Sequence, residues 1–344
     1  MILRIDCCYL FCFLSLPTFL NWCHADDRSA IAWPATLPVY DHIVVVVEEN
    51  KDYCEIIDNP AAIYVNGVLR AEGANLTRMF GEEHNSQGNY FWMFSGSNQN
   101  IGFVDRVPNA ENHPNYPFAA SNLGWRLIQK GLSFKGYAES LPSIGFTGNF
   151  SPDYVYARKH APWISFSNVP NGTTVETSSN LRFADFPTNP ADYRNLPTVS
   201  FVIPNLKNDM HDDDPAISVA RGDRWLRQNI DGYYQWAKSN NSLLIVTFDE
   251  NNDRDRYDGL TNPFVEPGND EYRLDLQNRI VTIFGGAKVK HGDFDEGLGV
   301  THVNLLRTIE AMYGLPKSGA QQPNAAGGGI SDDKIITDLF VPAN

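Results

Sequence analysis

Four short apolar runs, each followed directly by a polar cluster, constrain the fold of this chain more than any other feature. The runs cover residues 43–47, 199–203, 243–248 and 280–284. Short runs rich in β-branched residues and bounded by turn residues are typical of buried parallel strands. In an open α/β sheet, the ligand site lies beyond the carboxyl ends of such strands. We therefore expect the polar clusters to converge at one edge of a sheet.

The segments between these runs carry helical signals. Residues 219–237 present a regular apolar stripe and form the clearest predicted helix, and shorter helices are predicted over 61–73, 122–130 and 301–313. Alternating strands and helices predict an α/β fold with a central, mostly parallel sheet. Because polar clusters in both halves contribute to one site, we predict a single catalytic domain over residues 26–344.

Residues 140–195 are rich in Pro, Asn, Ser, Thr and Gly, and their periodicity is weak. We interpret this segment as a loop-rich insertion. Loops of this length are either functional or decorative. The segment is therefore either a cap that faces the substrate or a surface loop.

The N-terminus predicts export. Residues 7–23 are largely apolar and end in Cys23-His24-Ala25, before a polar segment. This pattern indicates a secretory signal peptide over residues 1–25 and a secreted mature protein. The alternative is an uncleaved membrane anchor, but the run is short for a membrane span and Pro17 interrupts it, so no stable anchor is expected.

Removal of residues 1–25 leaves Cys54 as the one cysteine, so the mature chain has no intrachain disulfide. We interpret Cys54 as a small buried hydrophobe rather than a reactive thiol. Asn-x-Ser/Thr triplets predict a glycoprotein if the host glycosylates. They begin at Asn75, Asn149, Asn171 and Asn240.

The net charge of −14, without a long basic run, argues against nucleic-acid binding. A phosphate substrate remains compatible with this charge, because a bound metal ion reverses the local field.

Two strand ends supply oxygen ligands for a metal. Glu49 and Asn50 follow the first run, and Asp249 and Glu250 follow the third. Carboxylate and amide oxygens are suited to a divalent cation. Each pair alone fits a helix cap or turn almost equally well, and it is their convergence that predicts a site for one or two divalent ions of unknown identity.

Ser86 combines a hydroxyl group with a turn that precedes an apolar, helix-like segment. At a helix N-terminus its Oγ lies in a positive field, and a nearby metal would lower the pKa of the hydroxyl. Asn89 is placed to donate to a phosphoryl oxygen. The alternative is that Ser86 serves only as a helix cap.

Asp209 and His211 follow the second run, two residues apart, and can face one ion or one phosphate. A solvated acidic loop is the alternative. His160 and His302 are isolated in sequence, and each alone is more typical of a structural residue.

Five motifs in this order resemble the phosphoesterase family of secreted acid phosphatases and phospholipases C, within the alkaline-phosphatase-like superfamily. The resemblance spans roughly residues 40–316. The motifs are Glu49-Asn50, Ser86-Gln-Gly-Asn89, Pro204-Asn205 through Asp209-Met-His211, Thr247-Phe-Asp249-Glu250, and Thr301-His302 through Leu315.

The chain departs from the family pattern in two places. Asn85 and Gln87-Gly88 replace the usual Pro before the nucleophile and the usual Leu-Pro after it, which makes the turn at Ser86 more flexible. No His follows Asp249-Glu250, unlike in the two-zinc enzymes, which favours fewer metal ions.

The resemblance implies an alkaline-phosphatase-like three-layer sandwich and a role for each motif. It implies that Ser86 is a nucleophile that also contacts the metal, and that Asp209 and His302 support the site or bind a second ion. The implied metal ligands are Glu49, Asn50, Asp249 and Glu250, and the implied phosphoryl contacts are Asn89, His160 and His211. One of the two histidines would protonate the leaving oxygen.

Three functions are compatible with these residues. The first is an acid phosphatase that hydrolyses phosphate monoesters through a phosphoserine. The second is a phospholipase C-type phosphodiesterase that acts on a small molecule or a lipid headgroup, for which aromatic residues of the insertion would widen the pocket. The third is a non-catalytic secreted binding protein on the same scaffold, which the intact set of polar residues argues against.

Overall fold

An eight-stranded sheet forms the centre of the structure, a computed structural model that describes residues 33, 37–102, 104–252, 278–297, 299–319, 331 and 333–341. The predicted signal peptide, residues 1–25, lies outside the described residues. In spatial order the strands are β10 (Gly292–Phe294), β2 (Ala74–Leu76), β9 (Thr282–Gly286), β7 (Ser242–Phe248), β1 (His42–Glu48), β6 (Val199–Ile203), β4 (Phe134–Ala138) and β5 (Asn180–Arg182).

Most neighbouring strands of this sheet are parallel. β7, β1, β6, β4 and β5 form a continuous parallel block, and β10 pairs parallel with β2. Nearly all side chains of β1, β6 and β7 are buried, as expected for strands covered on both faces. The predicted α/β class with a mostly parallel sheet is confirmed.

The fourth apolar run differs from its prediction. It divides into β8 (Arg279–Ile280) and β9, and β9 pairs antiparallel with both β7 and β2. β8 belongs to a separate three-stranded sheet with β3 (Met79–Phe80) and β11 (Val300–Thr301). The parallel prediction was wrong here because an apolar run reports burial on both faces and carries no information about strand direction.

Helices flank the sheet in two groups. α2 (Ser86–Ser95) packs against α3 (Leu123–Gln129) and α6 (His302–Met312), and α3 lies against β4. α4 (Pro215–Asn229) contacts both α1 (Tyr53–Ile56) and α5 (Asp231–Ala237), and α5 lies against β7 and β9.

Predicted helices are present with changed boundaries. The helix predicted over 219–237 is two helices, since the backbone of Ile230 bends (φ −115°) between α4 and α5 while its side chain stays in the buried stripe. The segment predicted over 61–73 contains a π-helix, Val65–Arg70. The predictions over 122–130 and 301–313 correspond to α3 and α6, with Asn122 capping α3 by accepting from the Trp125 amide at 2.8 Å.

The segment 140–195 is more ordered than its composition indicates. It contributes edge strand β5 and short 3-10 helices at Arg158–His160, Pro162–Ser165, Phe183–Asp185 and Pro190–Asn195. Trp163 and Phe166 are buried in its core, where their rings contact Phe94. This packing anchors the residues that the segment contributes to the site.

Two surface predictions require correction. Cys54 is exposed rather than buried, because α1 is a single turn that turns Tyr53 and Ile56 inward. Asn75 is fully buried in β2, where its amide donates to Tyr53 Oη at 2.7 Å, so it is no accessible glycosylation acceptor in the folded chain. The other three predicted acceptors are exposed.

Among the described residues, no helix has the length and apolar character needed to cross a bilayer.

Candidate active site

The carboxyl ends of three adjacent parallel strands, β7, β1 and β6, meet at one edge of the sheet. Glu48 pairs in register with Phe248, so Glu49 and Asp249 follow at equivalent positions of β1 and β7. The Asp249 amide donates to the Glu48 carbonyl at 3.1 Å, and the Glu49 amide donates to the Asp209 carbonyl at 2.7 Å. These bonds hold acidic residues from three distant parts of the sequence side by side.

Ser86 lies between two carboxylates. It is the first residue of α2, after Asn85 in an extended conformation. Its buried Oγ lies 3.2 Å from Glu49 Oε2 and 3.2 Å from Glu250 Oε1. Because the hydroxyl has one proton, it donates to one of these carboxylates at a time. Both carboxylates are close enough to accept that proton.

Glu49 contacts three side chains of the site, Ser86, Tyr90 and His160. Tyr90 donates its hydroxyl to Glu49 Oε1, and His160 Nε2 lies 3.3 Å from the same oxygen. The Tyr90 and His160 rings stack with centroids 5.0 Å apart and planes 15° apart. The sequence interpretation missed Tyr90, although its position four residues after Ser86 places both on one face of α2.

Asp209 adds a second carboxylate beside His160. Its Oδ2 lies 3.9 Å from His160 Nδ1, and its Oδ1 accepts from the His211 amide at 2.9 Å. Possible ligand atoms of Glu49, His160 and Asp209 all lie within 4.8 Å of one another. The structure thus places His160 and Asp209 together with Glu49.

The His211 side chain is half-buried, and its Nδ1 lies 3.0 Å from Asp212 Oδ1. Asp209 contacts the backbone of His211, whereas Asp212 contacts its ring.

Asp249 and Glu250 have separate partners. Asp249 Oδ1 accepts from the amides of Asn50 (3.2 Å) and Glu250 (2.7 Å), which fixes the turn after β7. Glu250 Oε2 lies 3.0 Å from His84 Nδ1, a contact that sequence reasoning did not predict.

Several buried oxygens at this edge fit a metal ion. Asn50 Oδ1, Asp209 Oδ2 and Asp249 Oδ2 have no hydrogen-bond partner among the described residues. Leaving such oxygens unpaired in the interior is costly. Carboxylate and amide oxygens with one imidazole suit a divalent cation, so the donor set present fits such an ion.

Burial and mutual repulsion dominate the electrostatics. Burial, followed by the charge on Glu250, raises the pKa of Asp249 to about 7. Burial, followed by the charges on Asp249 and Asp209, raises the pKa of Glu49 well above its usual range. Burial, followed by the charges of Lys159 and His211, lowers the pKa of His160. Without a compensating cation, these carboxyl groups therefore keep protons at pH values at which exposed carboxyl groups are ionised.

Two predicted residues form their hydrogen bonds with groups outside this cluster. The Asn89 side chain accepts from the amides of Glu82 (2.9 Å) and Glu83 (3.1 Å), so its amide group supports the loop that precedes α2. His302 is buried at the start of α6, where Nε2 lies 2.9 Å from the Phe248 carbonyl, and burial lowers its pKa to about 4. It lies behind the end of β7.

Lys159 reaches the site although no role was predicted for it. Its Nζ donates to Ser86 Oγ at 3.3 Å and forms an ion pair with Asp105. The signal for Lys159 was its position next to His160, but its contact with Ser86 depends on the packing of α2 against the 3-10 helix Arg158–His160.

Aromatic residues of the insertion line the site less than predicted. Trp163 and Phe166 belong to the core, Phe146 is half-buried against it, and Phe150 is exposed.

Comparison with known protein families gives a match to the phosphoesterase family over residues 59–316. Among curated proteins, the chain is 39% identical over 306 residues to a phosphatidylinositol-3-phosphatase of Mycobacterium tuberculosis, covering 89% of this chain and 87% of that protein. It is 26% identical over 294 residues to a probable acid phosphatase of Kluyveromyces lactis, covering 83% of this chain and 61% of the yeast protein.

Among solved structures, the chain resembles a protein of the alkaline phosphatase superfamily from Vibrio parahaemolyticus. The TM-score is 0.52 at 9% identity, and the match covers 83% of this chain and 71% of that one. At this identity the likeness concerns the fold, and it confirms the predicted alkaline-phosphatase-like architecture.

Proposed function

This chain belongs to the phosphoesterase family and is a hydrolase of phosphoric ester bonds, and from this premise we propose that it is a metal-dependent phosphomonoesterase of the acid-phosphatase type that works through a phosphoserine at Ser86. The observation that carries the proposal is the position of Ser86 Oγ, 3.2 Å from carboxylate oxygens of both Glu49 and Glu250.

The metal would be held by oxygens that the fold has already gathered. Glu49, Asn50, Asp249 and Glu250 are the proposed ligands, with Asp209 and His160 beside them. A divalent ion bound there would neutralise the buried carboxylates and polarise a phosphoryl oxygen.

The chain's own groups provide the nucleophile and a route for its proton. Ser86 attacks phosphorus, and a carboxylate within hydrogen-bond distance, Glu49 or Glu250, accepts the hydroxyl proton. The position of Ser86 in the first turn of α2 adds the positive field of the helix N-terminus, which favours the developing anion.

His211 is the better candidate for protonating the leaving oxygen. The lowered pKa of buried His160 keeps its imidazole neutral, and it lies between Glu49 and Asp209, which suits orientation rather than acid catalysis. The His211 ring is half-buried beside Asp212 and close enough for its charge to affect His160. We therefore assign His211 the role of general acid.

A monoester is favoured over a diester as substrate. A diesterase needs additional apolar surface for its second substituent, and Trp163 and Phe166 are committed to the core. The activities named for the two similar proteins, a phosphatidylinositol-3-phosphatase and an acid phosphatase, are phosphomonoester hydrolyses. We propose small phosphate monoesters or a phosphorylated lipid headgroup as the substrate class.

We further propose that the protein acts outside the cytoplasm after removal of residues 1–25, and that the exposed residues Asn149, Asn171 and Asn240 accept glycans where the host provides them. N-terminal sequencing of protein recovered from the medium tests this proposal. A chain that begins near Asp26 supports export, whereas an intact Met1 on a membrane-bound product contradicts it.

The function is tested with purified mature protein and a panel of phosphate mono- and diesters, with and without a chelator. We expect monoester hydrolysis that chelation abolishes and divalent ions restore. Asp249→Asn should lose both bound metal and activity, while Asp58→Asn, which removes an exposed carboxylate paired with Arg70, should retain both. Full activity of metal-free protein would contradict the metal assignment.

A further inference from the structure

We propose that Lys159 makes this site selective for dianionic phosphate monoesters over monoanionic diesters, by placing a fixed positive charge beside the nucleophilic oxygen. This inference rests on the proposed function and narrows its substrate class. It assigns a specificity-determining role to a residue that neither the motifs nor the metal ligands include.

The position of the amine carries the proposal. Lys159 Nζ lies 3.3 Å from Ser86 Oγ, and its side chain is mostly buried. A phosphoryl group attacked by Ser86 must have its phosphorus next to Oγ, so one of its non-bridging oxygens comes within reach of this ammonium group.

Asp105 holds the amine in place. It forms an ion pair with Lys159 Nζ, and its Oδ1 accepts from the Gln87 amide at 3.0 Å. The Gln87 side chain in turn donates to the Lys159 carbonyl at 3.2 Å. The first turn of α2 and the 3-10 helix that carries Lys159 are therefore joined by contacts of both Asp105 and Gln87, which hold the amine beside Ser86.

The charge of the substrate gives the selectivity. A monoester dianion carries one more negative charge than the corresponding diester, and that charge is shared by the oxygens that lie near Nζ. In a largely buried site an additional cation stabilises the dianion more than the monoanion. Asp105 offsets part of this charge, but its side chain is more exposed to solvent than that of Lys159, and solvent weakens its effect.

The test compares p-nitrophenyl phosphate with methyl p-nitrophenyl phosphate, which share a leaving group and differ by one charge. Lys159→Gln should lower the ratio of the two kcat/KM values, monoester over diester, by about tenfold or more, since a charge-assisted contact is lost. Lys159→Arg should keep most of this ratio, and Lys238→Gln, which removes a lysine paired with Glu72, should leave it unchanged. Equal losses on both substrates in Lys159→Gln would overturn the proposal.

Asp105→Asn separates the charge of Lys159 from its structural contacts. Asparagine retains an acceptor for the Gln87 amide and removes the compensating negative charge, so the monoester preference should stay the same or rise. A fall in the preference would show that the ion pair serves only to hold the fold, and would refute the charge argument.

Binding measurements keep the proposal independent of turnover. Titration calorimetry of Ser86→Ala protein with methyl phosphate and with dimethyl phosphate should show tighter binding of the dianion, and adding Lys159→Gln should reduce that difference. If neither nitrophenyl ester is hydrolysed, the proposed function fails, yet these binding data still decide the role of Lys159. An unchanged difference in affinity would overturn it.

Discussion

Asp249 makes the stability of the metal-free protein depend on pH. Burial and the neighbouring Glu250 raise its pKa from 3.8 to about 7. In that interval the native state retains a proton that the unfolded chain releases, so stability falls as pH rises from 4 to 7. This rise in the pKa of Asp249 corresponds to about 4 kcal/mol of unfolding free energy.

The assay is urea unfolding of chelated protein at pH 4.5 and pH 7.5. Asp249→Asn keeps an acceptor for the amides of Asn50 and Glu250 and removes the titrating charge. The variant should lose far less stability than the native sequence between the two pH values. Removing this charge also relieves Glu49 and Asp209, whose pKa values it raises, so the effect should add to the direct one.

The opposite contribution of His302 cancels in this comparison. Its folded pKa of about 4 lies below its usual 6.5, so the stability that neutral His302 contributes is lost as pH falls. This loss is the same in both proteins. Adding a divalent ion should restore stability at pH 7.5 more than at pH 4.5, because protonated carboxyl groups are poor ligands. Parallel pH profiles for the two chelated proteins would refute the reasoning.

Further variants test the other roles. Ser86→Ala should lower kcat by at least ~10³ while leaving the fold intact, as measured by steady-state kinetics and circular dichroism. His211→Ala should slow substrates with poor leaving groups more than nitrophenyl phosphate, and equal losses with an unchanged pH dependence would exclude the acid role. Gly88→Ala should destabilise by about 1–3 kcal/mol, since a Cβ there would overlap the Glu83 carboxyl group, whereas Gly67→Ala meets open space and should cost nothing in thermal unfolding.

The strand core was predictable from sequence because local composition reports burial directly. The runs at 43–47, 199–203 and 243–248 match β1, β6 and β7 to within a residue at each end. The residues of these three strands are almost all buried. The direction of β9 was not predictable, because it depends on pairing with β7 and not on its own residues.

The acidic cluster was partly predictable from the positions at which the strands end. Parallel strands end at one edge, so Glu49 and Asp249 had to lie near each other once their strands were adjacent. Ser86 was predicted to belong to the same site because of the resemblance to a known family and because of its place at the start of a predicted helix. The structure brings these residues together, and their roles stay predictions.

The residues that sequence reasoning missed reach the site through packing between distant segments. Lys159 meets Ser86 because a 3-10 helix of the insertion lies against α2, and His84 meets Glu250 across 166 positions of sequence. Asn89 was expected in the site because of its spacing from Ser86, but its amide group is used by the loop at 82–83. The direction of the Asn89 side chain is set by these hydrogen bonds, which residue spacing does not reveal.

In the proposed mechanism, Ser86 carries the phosphoryl group during turnover. The most direct measurement is mass spectrometry of protein quenched in acid while it turns over a phosphate monoester, followed by digestion and sequencing of the peptide that contains residues 84–95. We expect a single added phosphoryl group on Ser86, which is absent before substrate is added and absent in Ser86→Ala. A phosphoryl group on another residue, or burst kinetics without any modified Ser86, would contradict it.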